Sequence, residues 1–187
     1  LDVLLKVCDA VAYAHSKAIL HRDLKPDNIM LGDYGEVYVM DWGLAMYFDE
    51  RNEYKRFPGL KPQLAGTPSY IAPEMVRGKM TRLGPASDVY LLGGILYEIL
   101  TGRPPHDGDS VMDVLKKAAE GAVPPPETVS DSPVITPALS RITLKALAPR
   151  IEDRYPSVGA FREDIRECLA HSESMAICQR AAELLAG

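Results

Sequence analysis

The stretch from Ala86 to Leu100 constrains this chain most, because it is apolar nearly all the way round. Val89, Leu91, Leu92, Ile95, Leu96, Ile99 and Leu100 leave no polar face for water to wet. A helix of that kind must be buried on most of its sides, so the remaining elements have to be arranged around it. It is too short and too interrupted to span a bilayer. Asp88 near its start and Glu98 near its end are the exceptions, and both require buried partners. Thr101-Gly102-Arg103-Pro104-Pro105 ends it, with glycine just past the last turn and prolines beyond.

A second stretch concentrates chemistry instead of apolar surface. His21-Arg22-Asp23-Leu24-Lys25-Pro26-Asp27-Asn28 mixes acid, base, amide and proline in a way that no helix or strand core uses. Before it, Leu1, Leu4, Leu5, Cys8, Val11, Ala12, His15 and Ile19 recur at helical spacing and predict an amphipathic helix from Leu1 to Ile19. Pro26 lacks a backbone donor and disfavours helix at Lys25, so the loop cannot join that helix. After it, Ile29-Met30-Leu31 and Glu36–Met40, separated by Gly32-Asp33-Tyr34-Gly35, predict a small hairpin. Asp41-Trp42-Gly43 follows, then a polar, aperiodic segment to Ala65 that reads as a loop.

Downstream, a surface helix is expected over Ser110–Glu120 and a further helix from Thr136-Pro137 to Leu147, with a proline-rich irregular stretch from Val123 to Pro133 between them. Val158, Phe161, Ile165 and Leu169 predict a helix over Ser157–Leu169, and Glu173–Leu185 a separate terminal one. With 187 residues and 47% apolar composition the chain is long enough for one core. The net charge of −5 gives no reason to expect nucleic acid as a partner. Cys8, Cys168 and Cys178 are scattered without a metal-site spacing, which suits a reducing, cytoplasmic setting.

Asp23 and Lys25 are placed to converge from one loop. Asn28 and Asp41 are hard oxygen donors that meet if the hairpin folds their loops together, as magnesium bound to phosphates requires. In their order and wording these residues resemble the protein kinase family. His21-Arg22-Asp23 with Asn28 matches its HRDxxxxN signature, Asp41-Trp42-Gly43 its DFG with tryptophan for phenylalanine, and Ala72-Pro73-Glu74 its APE. Lys25 and Gly66-Thr67-Pro68-Ser69-Tyr70 are similar to the serine/threonine branch, and Asp88-Val89-Tyr90 with Gly93-Gly94 to its bacterial members. The resemblance implies a mainly α fold: a kinase-like C-terminal (large) lobe over residues 1–170, with a short β-hairpin beside the catalytic loop and a helical tail over 171–187.

The same resemblance implies roles. Asp23 is the catalytic base, and Lys25 contacts the transferred phosphate of ATP. Asn28 and Asp41 hold Mg2+ (or Mn2+), and Met30 lies beneath the adenine. Thr67 belongs to the loop that receives a protein substrate's serine or threonine. Glu74 pairs with Arg154, Asp88 ties the buried helix to the backbone at His21, and Trp42 stacks with His21. Arg22 marks kinases whose activation loop is often organised by a phosphate. Here no serine or threonine stands between Trp42 and Thr67, which leaves Tyr47 and Tyr54 as acceptors, or Asp49, Glu50 and Glu53 as charge in place of phosphate.

The family's glycine-rich loop, strand lysine and partner glutamate have no counterpart in these residues. The expectation is therefore a large lobe without its N-terminal lobe, with the missing lobe as its partner and little activity alone. The competing readings are a pseudokinase-like docking scaffold and a split kinase completed by a separate lobe. Intact Asp23, Lys25, Asn28 and Asp41 weigh against the scaffold.

Overall fold

The computed structural model describes residues 1–48 and 65–186. The chain opens with α1 (Asp2–Ser16), followed by strands β1 (Ile19–Leu20), β2 (Ile29–Leu31), β3 (Val37–Val39) and β4 (Met46–Tyr47). Helices then dominate: α2 (Pro73–Val76), α3 (Pro85–Thr101), α4 (Val111–Glu120), α5 (Pro126–Val129), α6 (Pro137–Ala146) and α7 (Val158–Ala186). The fold is mainly helical, with two small antiparallel ladders. β2 pairs with β3 in the register Ile29–Val39, Met30–Tyr38, Leu31–Val37, and β1 pairs with β4 through Ile19–Tyr47 and Leu20–Met46.

The helix α3 runs through the middle because it serves two apolar clusters at once. Val89, Leu92, Leu96 and Leu100 meet Leu4, Val7, Cys8 and Val11 of α1, Ile142 of α6, and Phe161 and Ile165 of α7. Tyr90 and Tyr97 face Leu20, Met46, Ile71, Met75 and Leu147. With apolar neighbours on both sides, a helix gains from having no polar face. Its two carboxylates find partners: the fully buried Asp88 accepts from the backbone at His21 and Arg22, and the partly buried Glu98 from the Tyr70 hydroxyl. Gly102 ends the helix at φ 72°, a left-handed turn that glycine adopts without strain, and its N–H closes on Glu98 O at 2.8 Å.

Close approach of α3 to α6 rests on Gly93. A β-carbon at that position would lie 2.7 Å from Cβ of Ala146, so the backbone contact exists only because the side chain does not. At the entry to α6, Thr136 Oγ1 accepts from Leu139 N at 3.2 Å, and Ser110 Oγ does the same for Asp113 N at 3.2 Å in front of α4.

Four expectations are corrected. The first helix stops at Ser16 instead of reaching Ile19: Ala18 takes φ 58°, and Ile19 enters the β1–β4 ladder. Its fully buried members are Leu4, Val7, Cys8, Val11 and Ala14; Leu1, Leu5 and Ala12 pack partly buried against the same core, and His15 reaches inward to Asp88, so the expected stripe is widened by Val7 and Ala14. The supposedly irregular proline-rich stretch contains α5, where Pro126 occupies a first-turn position whose N–H would be unpaired in any case. Ser157–Leu169 and Glu173–Leu185 are one continuous helix, α7, with Ser157 Oγ accepting from Ala160 N at its start. The segment after Gly43 also carries β4 before it leaves the described residues. Tyr54, Asp49, Glu50 and Glu53 lie outside them.

Candidate active site

The loop from His21 to Asn28 is positioned by Asp88. Its two carboxylate oxygens accept from the consecutive backbone N–H groups of His21 and Arg22, each at 2.9 Å. His15 Nε2 adds a third contact at 2.8 Å. Two successive amides can converge on one carboxylate only when the backbone turns sharply, and Arg22 sits at φ 73°. The strain of that left-handed residue is offset by hydrogen bonds to a charged acceptor in a buried setting. Arg22 Nη1 also donates to Leu44 O at 3.2 Å.

His21 is fully buried, and its protonation pattern follows from its neighbours. Nδ1 accepts from the Asp23 backbone N–H at 3.2 Å, so Nε2 carries the hydrogen and donates to Met40 O at 3.0 Å. The histidine therefore bridges the loop to the end of the hairpin. Its ring meets that of Trp42 at a centroid distance of 4.5 Å, tilted by 55° and not parallel. Trp42 is anchored in turn by Nε1 donating to Val39 O at 2.9 Å.

Asp23 is buried, and its Oδ1 accepts two hydrogen bonds from Thr67, from N and from Oγ1, both at 2.9 Å. Lys25 Nζ donates to the same Thr67 hydroxyl at 2.9 Å and stands 3.9 Å from Asp23 Oδ2. Thr67, 44 residues downstream in sequence, thus completes a cluster of carboxylate, ammonium and alcohol. Asn28 is buried beside it and gives its Nδ2 to Asp23 O at 2.8 Å. This orientation is dictated by the carbonyl acceptor, and it directs Asn28 Oδ1 away from the Asp23 backbone.

Asp41 arrives at the same edge through the hairpin, since Met40 N donates to Asn28 O at 2.8 Å. Asp41 takes φ 57° and is exposed; its Oδ1 accepts from Gly43 N at 3.2 Å, leaving Oδ2 open. Asn28 Oδ1 and Asp41 Oδ2 are hard oxygen donors of the type magnesium takes alongside water and phosphate oxygens, so the donor set fits that ion. No cluster of three or more His, Cys, Asp or Glu side chains exists among the described residues that would hold a metal by itself. Met30 is half-exposed on β2, on the outer face of the hairpin.

A second charged unit lies behind the site. Arg154 and Glu74 form a bidentate pair, Nη1–Oε1 at 2.8 Å and Nη2–Oε2 at 2.9 Å, with both side chains buried. The remaining Arg154 donors reach Ala148 O at 2.7 Å and Ala86 O at 3.1 Å, and Ser87 Oγ donates to Glu74 Oε1 at 2.8 Å. The guanidinium lies over the Tyr90 ring, 4.7 Å from its centroid. Sequence reasoning missed His15, Ser87 and His106. His106 is buried with Nε2 2.7 Å from the Tyr90 hydroxyl, and burial pushes its pKa down to about 4. For Ser87 the neighbouring carboxylate at Asp88 was a signal; for His15 and His106 no local pattern exists.

Comparison with known proteins agrees with this geometry. A family model described as protein kinase domain matches residues 2–171. Among curated proteins, the serine/threonine-protein kinase PknD of Chlamydia caviae is 36% identical over 184 residues, covering 92% of this chain and 19% of that protein. Serine/threonine-protein kinase Pkn1 of Myxococcus xanthus is 40% identical over 173 residues, covering 90% of this chain and 24% of that protein. The chain thus spans about a fifth of the length of the curated relatives it matches. The chain belongs to the protein kinase family, among the bacterial-type serine/threonine kinases.

Proposed function

We propose that this chain is the larger lobe of a serine/threonine kinase domain, residues 1–170 with a helical tail, and that it carries the transfer chemistry. One observation carries the reading: Asp23 Oδ1 already accepts an alcohol O–H, that of Thr67, while Lys25 donates to the oxygen of that same hydroxyl. A substrate serine or threonine hydroxyl presented to Asp23 finds a carboxylate that orients it and accepts its proton. Lys25 supplies positive charge beside the phosphoryl group, and Thr67 fixes the separation of the two. Asn28 and Asp41 would hold the divalent ion. That ion, when bound, neutralises charge on the phosphates of ATP. His21, Asp88 and the Glu74–Arg154 pair are positioning residues, acting through the backbone they hold.

A second lobe completes the nucleotide site in this reading. What supports it is the exposed apolar face around the hairpin. Met30 is 51% exposed, Tyr38 47%, Met40 45% and Trp42 38%. Beside them a groove of about 450 Å³ between α1 and β3 is lined by Tyr13, Ala14, Val39, Met40 and Trp42. Contiguous apolar surface of this kind is normally covered by another element. Among the described residues no helix is long and apolar enough to cross a membrane.

The test is phosphoryl transfer from ATP to a serine/threonine peptide by the chain joined to its flanking sequence. Asp23→Asn should lower kcat by at least about 100-fold with the fold intact. Transfer that survives this substitution, or that goes to tyrosine peptides alone, would remove the reading.

A further inference from the structure

Away from Asp23, the start of the segment after α2 and the loop after α6 enclose a recess of about 70 Å³. Its walls carry four cations, Arg77, Lys79, Arg82 and Arg150. The carboxylates do not balance them. Glu74 is already committed to the buried Arg154, Glu152 is shared between Arg82 at 3.4 Å and Arg150 at 3.0 Å, and Asp153 stands 3.6 Å from Arg150, so no carboxylate pairs with Arg77 or Lys79 among the described residues. Arg77 donates only to a backbone carbonyl, that of Ala119, and Lys79 has no ion-pair partner among the described residues. In a chain of net charge −5 this is a local concentration of positive charge.

The recess opens into a longer trough of about 570 Å³ that shares Arg82, Ile151 and Glu152 with it. Apolar lining of the trough comes from Pro85, Ala86 and Pro156, with the buried Leu83 beneath. Guanidinium forks at one end suit a dianionic oxyanion, which they bind by charge-assisted hydrogen bonds. An apolar trough leading from it suits the side chains that flank such a group in a peptide. A polynucleotide would instead require a continuous basic stripe with stacking aromatics.

We propose that this cleft is a docking site for a phosphorylated serine or threonine in a protein segment. The phosphate monoester occupies the recess between Arg77, Lys79 and Arg82, and the adjoining residues lie in the trough. The site is distinct from the Asp23 cluster, and its occupancy requires neither ATP nor transfer. It would tether a substrate or partner that already carries a phosphate, raising the local concentration of its other hydroxyls.

The probe is a phosphothreonine-oriented peptide library with degenerate flanking positions. It is applied to the chain without nucleotide, and the selected sequence is then measured by fluorescence anisotropy. The selected phosphopeptide should bind at least about tenfold more tightly than its unphosphorylated form. Lys79→Glu and Arg82→Gln should each abolish most of that difference. Both side chains are exposed, and circular dichroism should show an unchanged fold. Lys116→Glu, an exposed charge change on α4 outside the cleft, should leave binding within twofold. Failure to select any phosphopeptide, or equal loss with Lys116→Glu, overturns the proposal. So does competition by inorganic phosphate or by a single-stranded oligonucleotide as strong as that by the peptide itself.

Discussion

Asp88 shows how much one buried carboxylate can organise. It fixes two consecutive amides, the left-handed turn at Arg22 and the ring of His15, and through them the direction in which Asp23 points. Asp88→Ala should cost about 2–4 kcal/mol, because it orphans two buried N–H groups; a urea melt measures this. The need for a partner at Asp88 was legible, since a carboxylate in an all-apolar helix is conspicuous. The third partner was not, because His15 lies 73 residues away and its spacing reads as part of an apolar stripe. His106 makes a prediction of another kind. Its native pKa, about 4, lies below the ordinary 6.5 because burial disfavours the imidazolium. Between those values the unfolded chain binds a proton that the native chain refuses, so stability falls as pH drops from about 6.5 to 4. The loss should approach about 3 kcal/mol below that window. His106→Phe should flatten this part of the pH–stability curve, read by denaturant melts at pH 7, 5.5 and 4.5.

Among elements, α3 was the most legible and the short strands the least. A fifteen-residue stretch interrupted only by Ser87, Asp88 and Glu98 specifies a buried helix, whereas β1 and β4 are two residues each and too short for alternation to register. The ladder between them is set by tertiary position, as Leu20 and Met46 enter the same apolar cluster. The boundary placed between two terminal helices failed for the converse reason: no glycine or proline stands between Leu169 and Glu173 to stop α7. Packing of α3 on α6 predicts that Gly93→Val, which drives a side chain into Ala146, destabilises by about 1–3 kcal/mol, seen in thermal melts. The two kinds of ion pair should behave differently. Arg154→Met leaves Glu74 buried without its bidentate partner and should cost about 3–5 kcal/mol. Arg150→Ala at the exposed pair with Glu152 should leave the midpoint of the same urea titration almost unchanged.

For the whole molecule, the spacing of His21, Asp23, Asn28 and Asp41 already announced that two loops meet at one edge. The hairpin does bring them there, through Met40 N to Asn28 O and His21 Nε2 to Met40 O. What spacing could not convey was Thr67, whose segment reaches Asp23 across a long stretch of aperiodic sequence. Nor could it convey the cleft around Lys79 and Arg82, to which Arg150 and Glu152 come from a segment far along the chain. The exposed face at Met30, Tyr38, Met40 and Trp42 is a property of the assembled surface, and it underlies the proposal that a second lobe covers the nucleotide site. That claim is tested most directly by measuring phosphoryl transfer from labelled ATP to a serine/threonine peptide with two proteins side by side. One is this 187-residue chain, and the other is the same chain with the sequence that flanks it. The account predicts transfer that depends on Asp23 in the longer protein and less than about 1% of that rate in the chain alone, as the proposed need for a second lobe requires. Comparable, Asp23-dependent rates in both would contradict it.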